Sequence, residues 1–321
     1  MKTIDFSNYL EVLSGLRKPW HVKYFALYSS VLGGIVTDPL LMQIPIDDHL
    51  VHRGDGVFDT FRCANRAAYD LDAHVQRLMR SSAAIDLIWP GGAADLRQKI
   101  LETLSGAGCD TCFARVMIAR GPGSMGVNPY DSPEPALYIL LYAAGEPFMS
   151  QHPEGARVRR STVPVKPPQY ATVKLCNYLP NVQMKREAVD WGVDFVVSFD
   201  ERGHMAEGAT ENFGIVTQAG ELLFPRLESV LCGTTMMRVT RLAEELVAAG
   251  RLKGVAFRDI SEDEVRRAAE VLIVGTTVNV VSVREYEGAP IGAGKPGPVG
   301  LALDALLARD VARNDALRTC F

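Results

Sequence analysis

The chain lacks the features that mark several specialised classes of protein. It has no basic excess: 34 lysines and arginines stand against 38 aspartates and glutamates, a formal net charge of −4. Neutralising a phosphate backbone needs concentrated positive charge, so nucleic acid is not an expected partner. No run approaches the roughly 18 apolar residues of a membrane span, so no membrane partner is expected. The opening MKTIDFSNYLEVLSGLRKPW carries acids early and lacks the uninterrupted apolar stretch of a signal peptide. The cysteines (Cys63, Cys109, Cys112, Cys176, Cys232 and Cys320) are scattered, with one CxxC, no second pair and no nearby histidine. Neither a disulfide framework nor zinc is expected, and no metal is assigned. No GxGxxG follows a first strand and no lysine completes a GxxxxGK pattern, so nucleotide-binding readings fail. Internal repeats and low-complexity tracts are also missing. A soluble, cytoplasmic protein with reduced thiols is the expectation.

What is present is ample material for a core. The chain has 321 residues, 47% of them hydrophobic, and that length favours two domains. Residues 1–22 read as an N-terminal extension. Residues 23–144 read as a small α/β domain, in which VFDTFRC, FARVMIAR and ALYILLYAA are strands, with helices from about Leu71 and from Asp95 to Leu104. Residues 145–155 turn to glycine, proline and polar residues, as a linker would. Residues 156–321 read as a large domain with a helix from Leu179 to Trp191, closed by Gly192. A second helix follows Gly233, and Ser261 with Glu264 forms a capping box for a third. Strands outnumber helices and few are joined by single regular helices, so the fold class is α/β of the mixed α+β kind rather than doubly wound.

Several residues could carry chemistry. Lys174 lies in TVKLCNY among apolar neighbours, where lost hydration lowers an amine's proton affinity and makes it nucleophilic. The same position is compatible with a lysine whose tip reaches water. Glu207, in HMAEGATENFGIV, could hold a proton on a buried aromatic nitrogen or sit exposed in its turn; Asn212 could orient it or tie down the loop. The helix opening at Gly233, Thr234 and Thr235 offers unpaired N–H groups and hydroxyls to an anion. Thr276 and Thr277, after the strand VLIVG, offer a second set. Arg77 leaves the apolar stripe of its helix at the edge and could reach inward to a phosphate.

The order of these pieces resembles the class IV, fold-type IV pyridoxal-phosphate enzymes: branched-chain aminotransferases, D-amino-acid aminotransferases and aminodeoxychorismate lyases. The segments that carry the resemblance are HRGDGVFDTFRC, HVQRL, KLCNYLPNVQMKREAVDWGVDFVVSFD, GHMAEGATENFGIV, and LCGTT followed by VLIVGTTVNVVSV. The resemblance runs from about Tyr28 to Leu307. The resemblance implies the two-domain, D-amino-acid-aminotransferase-like fold and pyridoxal 5'-phosphate held as a Schiff base on Lys174, which also moves the substrate proton. It implies that Glu207 meets the pyridine nitrogen and that Arg77 meets the phosphate. Gly233, Thr234, Thr235 and Thr276 would complete the phosphate site, with Asn212 nearby. Tyr178 matches the tyrosine beside the ring hydroxyl, at the KxxNY spacing of the D-amino-acid and lyase groups. A homodimer follows from the family.

Substrate is less uniform. RVMIARGPGSMGVNP and GAGKPGPVG resemble the branched-chain group, in which the loop at Met125 to Pro129, with Val127, crosses into the partner's site. On that alignment Phe58, Thr60, Arg62, Phe113, Arg115 and Thr277 border the substrate pocket. A tyrosine is usual where Phe113 stands, so one hydroxyl contact to the carboxylate is lost, and LYAAGEP replaces the family's Pro-Trp-Gly wall. The favoured expectation is transfer of an amino group between a branched-chain or similar apolar L-amino acid and a 2-oxo acid such as 2-oxoglutarate. D-amino-acid or amine transamination, the lyase reaction, and a non-catalytic cofactor-binding homologue are the alternatives.

Overall fold

The computed structural model describes all residues from Met1 to Phe321. The chain divides into two units. Unit 1 comprises Met1–Ala144, Leu175–Asn177 and Arg318–Phe321, and unit 2 comprises Gly145–Lys174 and Tyr178–Leu317.

Unit 1 opens with a short helix α1 (Tyr9–Ser14) and is built on an antiparallel sheet. Its labelled strands are β1 (Tyr24–Ser29), β2 (Gly34–Val36), β3 (Gly56–Ala64), β4 (Ala67–Tyr69), β5 (Cys112–Ala119) and β6 (Ala136–Tyr142). The C-terminal strand Arg318–Cys320 adds to the edge, giving the order C-terminal strand, β4, β3, β5, β6, β1, β2. Residues 156–321, read from the sequence as one large domain, end in a strand that belongs to unit 1: Arg318 lies opposite Tyr69 and Cys320 opposite Ala67. A short helix α2 (His49–Arg53) precedes β3; Asp48 caps it and Gly54 ends it at φ 64°.

Alternation along β3 and β5 gives the sheet two different faces. Val57, Asp59, Phe61 and Cys63 fall on one face with Ala114, Val116 and Ile118, all of them buried. The helices α3 (Leu71–Ala83) and α4 (Gly92–Ala107) pack on the sheet, burying Leu71, Val75, Leu78, Leu96, Ile100 and Leu104. Phe58, Thr60 and Arg62 point the other way, opposite Met117, Arg115 and Phe113 in register. One end of that second face is closed by Met42, Ile44 and Leu50 around Leu27 and Tyr138.

Unit 2 holds a mixed sheet: β7 (Ala156–Arg160), β8 (Phe195–Val197), β9 (Asn212–Val216), β10 (Glu221–Phe224), β11 (Gly254–Phe257), β12 (Glu270–Gly275) and β13 (Asn279–Tyr286), in the order β11, β10, β9, β12, β13, β7, β8. Its helices are α5 (Phe148–Gln151), α6 (Pro168–Ala171), α7 (Leu179–Asp190), α8 (Thr234–Ala248), α9 (Glu262–Arg266) and α10 (Pro298–Arg313). The central strands are buried on both faces, which is why EVLIVG reads as a continuous apolar run rather than an alternating one. Val271 and Ile273 pack in one core with Phe213, Val281 and Val283. Leu272 and Val274 pack in the other with Met236, Val239 and Ala243 of α8 and Val299, Leu303 and Leu307 of α10. Two glycines of GAGKPGPVG, Gly297 and Gly300, serve the start of α10. There the buried Glu270 carboxylate accepts the N–H groups of Val299 (2.9 Å) and Gly300 (2.8 Å), and a side chain at Gly297 would strike it. A carboxylate at a helix N-terminus satisfies donors that would otherwise be orphaned.

Candidate active site

The candidate residues fall into two groups, one on each unit. In unit 2, Lys174 follows α6 and is 9% exposed. Its Nζ donates to the hydroxyl of Tyr178 at 3.2 Å, and Tyr178 stands at the N-terminus of α7. A second lysine, Lys166, lies over the same tyrosine ring, 5.4 Å from its centroid, against 5.6 Å for Lys174. Lys166 Nζ is also 3.4 Å from Glu207 Oε1, so Lys174, Tyr178, Lys166 and Glu207 form one connected cluster.

Glu207 is fixed from several sides. Its Oε2 accepts the N–H of Leu231 at 3.1 Å, and its carbonyl accepts the N–H (3.0 Å) and hydroxyl (2.8 Å) of Ser198. Asn212 Nδ2 donates to the carbonyl of the same Leu231 at 2.9 Å. Asn212 thus ties down the loop and orients Glu207 through one shared residue. Glu211, four residues on from Glu207, has its carboxyl pushed up by burial, against hydrogen bonds from Thr210 and the charges of Lys185 and Lys174.

Leu231 leads directly into the opening of α8, a candidate anion site. Gly233 is the N-cap of α8, and a Cβ there would strike Asn212 Oδ1, so only glycine fits. Thr235 Oγ1 lies 3.2 Å from Thr276 Oγ1, which joins the opening of α8 to the end of β12. The two sets of threonines that look separate in sequence therefore lie together, with the N-terminus of a fifteen-residue helix at their base. Thr234 is the first residue of that helix. Thr277 lies in the tight β12–β13 turn and is exposed.

In unit 1, Phe58, Thr60, Arg62, Phe113 and Arg115 share the sheet face opposite α3 and α4. Arg62 lies over the Phe113 ring at 5.4 Å, and Arg115 over the rings of Phe58 (5.3 Å) and Tyr142 (5.7 Å). Val127 is not among them; it is 79% exposed in the loop after β5. Arg77 is on the opposite, helix-covered face, 6% exposed. There its Nε and one Nη donate to Asp59 at 2.8 and 2.7 Å, and His74 adds a 2.7 Å bond to the same carboxylate. Burial pushes the Asp59 carboxyl up, but Arg77 and His74 outweigh it and hold the group well below the usual carboxylate range.

Sequence reading passes over Lys166, Asp59 and Tyr142. Asp59 leaves a signal: it occupies the inward phase of β3, between Val57 and Phe61, where a buried carboxylate requires partners. Lys166, set among the prolines of VPVKPP, gives none. Tyr142 is hidden in the apolar strand ALYILLY.

The donor set suits pyridoxal 5'-phosphate: a buried primary amine, a fixed carboxylate, a tyrosine hydroxyl and a helix N-terminus with hydroxyls where a side chain at Gly233 would intrude. The family model for amino-transferase class IV matches residues 56–286. The chain belongs to the class IV aminotransferases, and is a pyridoxal-phosphate-dependent enzyme of fold type IV. It is 37% identical over 290 residues to the chloroplastic D-amino-acid transaminase of Arabidopsis thaliana, covering 90% of this chain and 77% of that one. It is 27% identical over 264 residues to the branched-chain-amino-acid aminotransferase of Pseudomonas aeruginosa, covering 78% and 82%. Among solved structures, a T.th. branched-chain amino acid aminotransferase with pyridoxamine 5'-phosphate superposes with a TM-score of 0.85 at 26% identity, over 93% of this chain and 99% of that one. No helix is long and apolar enough to cross a membrane.

Proposed function

We propose that the chain transfers the amino group of a D-amino acid to a 2-oxo acid, with Lys174 as the residue that binds the cofactor and moves the proton. The observation that carries the chemical part is the Lys174 amine, buried and held on the Tyr178 hydroxyl at 3.2 Å. Preference for the D-series rests on the 37% relative, against 27% for a branched-chain relative. The L-branched-chain reading, which MGVNP and GAGKPGPVG favour, is the second, supported by the solved branched-chain neighbour.

Bound pyridoxal 5'-phosphate supplies an aldehyde that captures amines and a ring that accepts electrons from the substrate α-carbon. The protein's own groups divide the remaining work. Lys174 Nζ takes the α-proton and returns it at the next position, with the Tyr178 hydroxyl fixing where the nitrogen points. Glu207, steadied by Lys166 and the Leu231 N–H, holds a proton on the ring nitrogen. The N-terminus of α8, with Gly233, Thr234, Thr235 and Thr276, takes the phosphate, and Arg77 is assigned to it with Asp59 fixing the guanidinium plane. Phe58, Thr60, Arg62, Phe113 and Arg115 are assigned to substrate selection, with Val127 and Thr277 at the margin. A homodimer is part of the proposal, supported by the exposed apolar Met125, Val127 and Tyr130 in one loop.

A panel of D- and L-amino acids with 2-oxoglutarate, read as release of the matching 2-oxo acid, tests the reading. Faster turnover of D-alanine or D-aspartate than of any L-amino acid supports it. Turnover confined to L-leucine, L-isoleucine and L-valine replaces it with the second reading.

A further inference from the structure

One face of the unit 1 sheet brings Arg115, Thr60 and Tyr142 together. Arg115 Nε donates to Thr60 Oγ1 at 3.3 Å. A guanidinium has only donors, so the threonine oxygen must accept, leaving the threonine proton for another group. Tyr142 stands beside this pair, its ring centroid 5.7 Å from the Arg115 guanidinium, and Arg115 and Thr60 both favour its ionised form. Burial raises Tyr142 more than these contacts lower it, so it stays a donor at working pH.

Register explains why the tyrosine is there. Tyr142 is directly opposite Phe113 in the β5–β6 pair, their ring centroids 5.8 Å apart. Phe113 presents a ring with no hydroxyl; its cross-strand neighbour brings one to the same face. Arg115 itself has no carboxylate partner, its contacts being Thr60, Tyr142 and Phe58. Arg77 and Arg120 of the same unit, by contrast, are each committed to an aspartate. A guanidinium flanked by two aromatic rings, beside a protonated phenol, matches the two oxygens of a carboxylate.

We propose that Tyr142 is a substrate-binding residue, donating to one oxygen of the amino-acid or 2-oxo-acid carboxylate while Arg115 takes the other. This rests on the aminotransferase reading above for the identity of the carboxylate. The charge of Arg115 supplies attraction, and the phenol supplies direction and selects carboxylates over neutral amides.

Calorimetric titration of the holoenzyme with 4-methylvalerate, which has neither amine nor keto group, tests this independently of turnover. Tyr142→Phe keeps the ring against Phe113 and removes only the hydroxyl. Its Kd is expected to rise about tenfold, the usual effect of losing one hydrogen bond to a charged group. KM for the 2-oxo acid should rise in parallel, with a far smaller change in kcat. Adding Phe113→Tyr to that variant returns a hydroxyl from the adjacent strand and should recover part of the affinity. Unchanged Kd in Tyr142→Phe overturns the proposal, as does an equal loss of affinity for the neutral 4-methylvaleramide. A wild-type protein that transaminates nothing, yet loses carboxylate affinity in Tyr142→Phe, would sink the aminotransferase reading and leave this one standing.

Discussion

Asp59 and Arg77 hold each other through two hydrogen bonds, of 2.8 and 2.7 Å, beneath α3, with His74 on the same carboxylate. The pair has a structural consequence apart from any contact to phosphate. Removing one member of a buried pair strands the other, at a cost of about 3–5 kcal/mol. Asp59→Ala should lose about that much in urea unfolding of the apoprotein. The carboxyl is held below its unfolded value, so its stabilisation is full above about pH 4 and fades as pH falls below that. Acid unfolding of the wild type should therefore be steeper than that of Asp59→Asn. Equal slopes would show that the pair contributes nothing to the acid limit.

Gly233 sits against Asn212, with room for a hydrogen but not for a methyl group. Gly233→Ala must push Asn212 away or tilt the start of α8, and either disturbs the proposed phosphate cradle. Cofactor affinity, measured by equilibrium dialysis, should fall at least about tenfold, while the melting temperature of the apoprotein falls only slightly. Unchanged affinity would place the phosphate elsewhere.

In the proposed mechanism Glu207 carries the electrostatic part. Glu207→Gln keeps the shape and the bond to Leu231 but cannot stabilise a protonated ring nitrogen. Its kcat should fall about a hundredfold or more, the range for loss of a positioned acid–base group, with cofactor still bound. Lys166 pairs with Glu207 at 3.4 Å. Lys166→Met should shift the pH dependence of the bound cofactor's visible band, whereas a lysine that merely fills space would leave that band in place.

The residues proposed for the cofactor are legible in sequence because they are residue types in a fixed order: a lysine before a helix, a glutamate before a strand, and threonines at a helix start. Local signals also place α8, with Gly250 after its end, and the capping box of α9. What stays hidden depends on pairing. The register that puts Tyr142 opposite Phe113 is a long-range choice, and the apolar run ALYILLY gives no hint of which residues face outward. The five-residue α2 is too short for helical periodicity, although Asp48 and Gly54 mark its two ends. The strand Arg318–Cys320 pairs with a three-residue strand some 250 positions earlier, a distance across which composition says nothing. Likeness divides between two scales: two loop motifs resemble the branched-chain group, while the 37% relative over 290 residues is a D-amino-acid transaminase.

Lys174 is the residue on which the account depends. The most direct measurement is borohydride reduction of the yellow holoenzyme, followed by peptide mass analysis. The account predicts a single modified peptide carrying the reduced cofactor on Lys174, and no reducible yellow species or turnover in Lys174→Ala. Label on Lys166 or Lys185 instead, or a reducible yellow species persisting in Lys174→Ala, would contradict it.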